Sequence, residues 1–149
     1  MLGELYNKLL KLNTVPDINR GGCGIVAHAF YTACTQNNIP AKIVYIVRPS
    51  IDDDVINKMN NNEPTSCAHV MVKIGRYYYD TEGVYKSKIA IQKEFFSKIE
   101  LVPVDPEYAY AAASAQNSWN KRFNRERYAN IIPRMLGVEV KYHKDALCI

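Results

Sequence analysis

The stretch Cys67-Ala68-His69-Val70-Met71-Val72-Lys73-Ile74-Gly75-Arg76-Tyr77-Tyr78-Tyr79-Asp80 decides the fold. β-Branched and aromatic residues flank a Gly-Arg dipeptide, the pattern of a two-stranded hairpin. With Gly75-Arg76 as the turn, Ile74 pairs with Tyr77, Met71 with Asp80 and His69 with Glu82. Side chains alternate along a strand, so His69, Met71, Asp80 and Glu82 share one face. Asp80 then lies diagonal to His69, and Glu82 directly across. A carboxylate in either place can hold the imidazole by its second nitrogen, fix its tautomer and support its charged form. A turn longer by one residue would put Asp80 on the opposite face. Taken alone, the hairpin fits equally a histidine that merely makes a hydrogen bond.

Upstream, Gly21-Gly22-Cys23-Gly24 sits where a loop (Asn13 to Gly22, with Pro16, Asp17 and Asn19) becomes a helix. From Cys23 to about Gln36, Val26, Phe30, Ala33 and Cys34 fall on one helical face, and Asn37-Asn38 with Pro40 end the pattern. A helix N-terminus offers free amides and positive potential, which stabilise a thiolate, the nucleophilic form of cysteine. The flanking glycines, Gly22 among them, let backbone and substrate approach closely. The plainer alternative is a glycine turn with a packed cysteine. Cys34 reads as core and Cys148 as a terminal thiol. His28 lies about 140° around the helix from Cys23 and is a poor base for it. His143 has no visible partner.

The remaining pattern frames these two stretches. Residues 2–12 repeat at helical spacing, and Ala41 to Val47 is a near-continuous apolar run that reads as a buried strand. Ser50 to Thr65 is polar, with a short helix expected over Asp53 to Met59 and the rest a loop at the rim of a cleft. Lys86 to Ile99 reads as helix, and Glu107 to Asn130 as one further helix. In that helix Trp119 and Phe123 share one face, and Arg122, Arg125 and Glu126 form a solvated one. Trp119 and Arg122 are also candidates for the opposite wall of the cleft. No repeat or linker divides the 149 residues, so a single domain, 1–149, is expected.

Composition bounds the function classes. The net charge of +4 is too small to point to nucleic acid. No apolar run reaches the length of a membrane span, and the N-terminus lacks the pattern of a signal peptide. Four cysteines without an export signal suit reduced thiols and a cytoplasmic location. No C-x2-C or H-x3-5-H pair occurs, so neither a metal nor another cofactor is expected. The abundance of asparagine, isoleucine, lysine and tyrosine suits an AT-rich phage or bacterial source.

In order, the chain shows a glycine-flanked cysteine opening an alanine-containing helix, then Asn38-Ile39-Pro40-Ala41-Lys42-Ile43-Val44. His69-Val70-Met71-Val72 and Gly75-Arg76-Tyr77-Tyr78-Tyr79-Asp80 follow. This order resembles the transglutaminase-like branch of the papain-like cysteine enzymes, over about residues 20 to 84. The resemblance implies an α+β fold with the nucleophile helix packed on an antiparallel β-sheet. It implies Cys23 as nucleophile, His69 as general base and acid, and Asp80 as orienter. The implied activity is a thiol hydrolase, peptidase or amidase, working through an acyl-enzyme thioester on a peptide or protein amide. An acyltransferase or transglutaminase on the same triad, or a silent partner-binding module, are the alternatives. Papain-type enzymes carry a glutamine before the cysteine as oxyanion donor. Here the loop offers no glutamine, and Asn19 is the candidate. Tryptophan often stands beside the family's cysteine or histidine, where this chain has Ile25 and Val70.

Overall fold

The computed structural model describes residues 1–20, 22–49, 51–63, 65, 67, 69–115 and 123–142. Five strands form one antiparallel sheet: β1 (Lys42–Val47), β2 (His69–Ile74), β3 (Tyr77–Asp80), β4 (Gly83–Tyr85) and β5 (Glu100–Val104), in the order β4-β3-β2-β1-β5. The described helices are α1 (Leu2–Lys11), α2 (Cys23–Gln36), α3 (Asp53–Asn60), α4 (Lys88–Phe95), α5 (Pro106–Ala115) and α6 (Arg125–Met135). The class is α+β. Among the described residues, no helix is long and apolar enough to cross a membrane.

The hairpin register follows the sequence. Ile74 faces Tyr77 and Val72 faces Tyr79, and Gly75 takes the left-handed φ of 62° that the turn requires. From Ile43 to Val47 strand β1 is apolar and buried on both faces. Ile43, Tyr45 and Val47 join the main core with α2, while Val44 and Ile46 join a smaller core with Met71, Tyr78, Ile91 and Ile99. Helix α2 is buried on most of its circumference, from Ile25 through Cys34, and contacts the sheet, α1, α5 and α6. Its wide burial suits its composition of small and apolar residues, which lets neighbours pack on several sides.

Three expectations need correction. Glu82 does not pair with His69: the chain turns at Thr81-Glu82 into β4, a strand the sequence reading missed, and Asp80 pairs with Gly83. Residues 107–130 are not one helix. Helix α5 runs to Ala115, and α6 starts at Arg125, where the Asn124 side chain accepts the Arg127 amide as an N-cap. Arg125 is not on a solvated face. It is 8% exposed and donates to the Ala113 and Ser114 carbonyls at 3.0 and 2.7 Å, closing the end of α5. Trp119, Arg122, His143 and Cys148 lie outside the described residues.

Candidate active site

Helix α2 begins at Cys23 with Gly22 as its N-cap, and no side chain caps the first turn. The leading amides of a helix of 14 residues are therefore left to whatever sits beside Cys23. Gly22 is held by packing. A Cβ there would stand 2.6 Å from the Ile18 carbonyl oxygen and 2.9 Å from the Phe123 ring. This close fit is a packing reason for glycine at position 22. The half-buried Cys23 is thus fixed by the Ile18–Gly22 turn, whose amide-to-carbonyl bond is 3.0 Å.

His69 is the first residue of β2 and faces the smaller core, opposite Ile46 of β1. At the sheet end it meets the start of α2, which lies on the other face. A narrow crevice there is lined by Cys23, Asn19, His69, Asp80 and Thr81 together with apolar side chains. His69 Nε2 donates to Asp80 Oδ2 at 2.8 Å, with both residues buried. Cys23 lines the same crevice as His69. Burial works against protonation of His69. The Asp80 hydrogen bond, with the nearby Cys23 sulfur, outweighs it and pushes the imidazole up to about 10. The buried carboxylate thus favours the protonated imidazole.

Asp80 is fixed in turn. Its Oδ1 accepts the amides of Glu82 at 2.8 Å and Gly83 at 3.1 Å. The Thr81 hydroxyl, fully buried, donates toward Asn19 Oδ1 at 3.2 Å and lies 3.4 Å from Asn13 Oδ1. Asn19, whose carbonyl oxygen accepts from Thr81, also lines the crevice that holds Cys23. Thr81 and Asn13 were not singled out in the sequence. The available signal was adjacency: Thr81 follows the orienting aspartate, so alternation turns it to the opposite face, toward α2.

Comparison with family models, curated proteins and solved structures found no match. The site is therefore read from its own chemistry. Cys23, Cys34 and Cys67 are all free thiols. Cys34 is wholly buried, and burial pushes it up to about 11, consistent with a core role. The Cys67 thiol donates to the His69 carbonyl at 3.0 Å and is pushed up by burial and by Cys23. It props the start of β2. His28 is remote from Cys23 in function: its Nδ1 meets the Tyr142 hydroxyl at 2.7 Å. Among the described residues, no three of His, Cys, Asp and Glu gather as metal ligands would. Among the described residues of 51–63, none lines the crevice or the cavity beside it. The loop is pinned elsewhere, by Tyr108 donating to the Glu63 carbonyl at 2.6 Å.

That neighbouring cavity, about 180 Å³, opens on the α4 side of His69. Phe95 covers the imidazole there, with ring centroids 6.0 Å apart. Phe96 ends α4 in the left-handed region, φ 51°, and is exposed. The helix stops there with Phe95 still turned to the cavity.

Proposed function

We propose that the chain is a cysteine hydrolase of amides, a peptidase or amidase, with the papain-like or transglutaminase-like arrangement that the sequence resembles. The observation that carries this reading is His69 held at Nε2 by buried Asp80 and sharing one crevice with Cys23, at the uncapped start of α2. The Cys23 thiolate attacks the amide carbonyl carbon, and the oxygen takes the negative charge. The Cys23 amide and the Asn19 NH2 are the donors for that oxygen. Collapse breaks the C–N bond, and His69 gives its Nδ1 proton to the departing nitrogen. The resulting thioester is attacked by water, whose proton His69 takes, and the acid and the Cys23 thiolate–His69 imidazolium pair are restored. Asp80 keeps the imidazole in one orientation throughout. The cytoplasmic setting proposed from the sequence suits a nucleophile that must stay reduced.

Two measurements on the intact protein test this. Iodoacetamide alkylation, mapped by peptide mass, should label Cys23 far faster than Cys34 at about pH 6, and His69→Ala should abolish the difference. A p-nitrophenyl ester should acylate Cys23 and the adduct should then hydrolyse, read by intact mass. Slow labelling of Cys23 that ignores His69 would sink the hydrolase reading. A stable acyl adduct that only added amines discharge would show acyl transfer instead.

A further inference from the structure

Two carboxylates beside His69 take no part in the arrangement above: Glu82 and Glu94, exposed at the cavity on the α4 side. Met71, Ile91 and Phe95 give that cavity an apolar wall. His69 and Asp80 satisfy each other, and among the described residues no lysine or arginine lines the space. Among the described residues, neither Glu82 nor Glu94 is in an ion pair. Tyr85 is also in the lining. Burial, and then the charges of Asp80, Glu94 and Glu82, keep its hydroxyl protonated. The cavity is thus acidic in a chain whose net charge is +4, so its sign does not mirror the chain average.

Its position gives the sign a use. His69 hands its proton to the departing nitrogen, so the amine part of a substrate lies on the His69 side and the acyl part on the Cys23 side. His69 borders both the Cys23 crevice and this cavity. Resting on the hydrolase reading, we propose that the cavity receives the lysine or arginine side chain of the residue on the amine side of the cleaved bond. The aliphatic stem packs on Met71, Ile91 and Phe95, and the charged end reaches Glu82 and Glu94 at the open side. An acidic side chain there meets two unpaired carboxylates and is rejected.

The test needs no natural substrate. Three iodoacetamides carry N-substituents of similar length: 6-aminohexyl, hexyl and 5-carboxypentyl. Alkylation of Cys23 by each is followed by peptide mass mapping in the native chain and in the Glu82→Gln/Glu94→Gln variant. The aminohexyl reagent should react about tenfold faster than the carboxypentyl reagent in the native chain, with the hexyl reagent between them. The ratio should shrink in about 0.5 M salt and approach one in the double variant. Because the ratio is taken within one protein, a general loss of reactivity divides out. Equal rates in the native chain, while plain iodoacetamide still labels Cys23 fast and in a His69-dependent way, overturn the cavity proposal alone. A ratio that survives both glutamines does the same. Slow, His69-independent labelling by plain iodoacetamide, with no charge preference, overturns the hydrolase reading and this proposal together.

Discussion

Asp80 orients His69 and shapes the turn into β4 with the same side chain, Oδ2 serving the first task and Oδ1 the second. Asp80→Asn removes the charge from a buried, charge-assisted bond, an interaction worth about 1.5–3 kcal/mol. Cys23 alkylation at neutral pH should fall about 10- to 100-fold, and a rate within twofold of native would remove Asp80 from the mechanism. Asn19 makes a different prediction, because alkylation develops no oxyanion and ester acylation does. Asn19→Ala should slow acylation by a p-nitrophenyl ester about 100- to 1000-fold, the cost of one lost oxyanion donor, and move the alkylation rate far less. Thr81→Val should produce a smaller loss of the same kind, roughly tenfold, because Thr81 is a positioning residue acting through Asn19. Equal effects on both reactions would show instead that these substitutions only disturb the fold around Cys23.

Elements were legible where one local rule governed them. Helix α2 begins at Cys23 and ends at Gln36, as glycine before it and Asn37-Asn38-Ile39-Pro40 after it require. The β2–β3 hairpin kept its register because Gly75 is free to take a positive φ. The His69–Asp80 contact therefore came from alternation alone, and it came as a diagonal neighbour. What was hidden depends on contacts distant in sequence. Strand β4 has three residues, too few for a periodic signal. The basic appearance of Arg125 gave no hint that it would close α5, because only tertiary packing brings the Ala113 and Ser114 carbonyls to it. Arg125→Ala should cost about 2–4 kcal/mol in urea unfolding by leaving those carbonyls unpaired in a buried place. A loss below about 0.5 kcal/mol would put Arg125 back on the surface. Gly22→Ala is a packing test of the α2 start. The added methyl meets backbone at 2.6 Å, and overpacking of this kind costs about 1–3 kcal/mol.

At the scale of the whole molecule, α2 is the shared partner: the sheet, α1, α5 and α6 all pack on it, and it carries both Cys23 and His28. The last described segment reaches it through Tyr142, whose hydroxyl donates to His28 Nδ1 at 2.7 Å within a cluster with Tyr110. Burial and then Tyr110 keep Tyr142 protonated, so its hydroxyl can donate to a neutral His28. Burial lowers His28 from 6.5 to about 4. Its folded value is depressed, so its contribution to stability is complete above the unfolded value, about 6.5, and is lost as pH falls through about 4. That lowering corresponds to roughly 3 kcal/mol, with little solvent screening at 8% exposure. His69 has the opposite sign. Its folded value is raised to about 10, so its contribution is complete below about 6.5 and is lost as pH rises through about 10. The two histidines tilt stability in opposite directions, and their effects meet near pH 6.5. Carboxylates also titrate on the acid side, so the acid limb needs a difference measurement. Urea unfolding of the native chain and of His28→Phe should diverge between about pH 7 and 4, with the variant losing less, because phenylalanine has no proton to take up. Parallel curves would mean that His28 is already protonated in the folded chain and that another contact holds the C-terminal segment on α2.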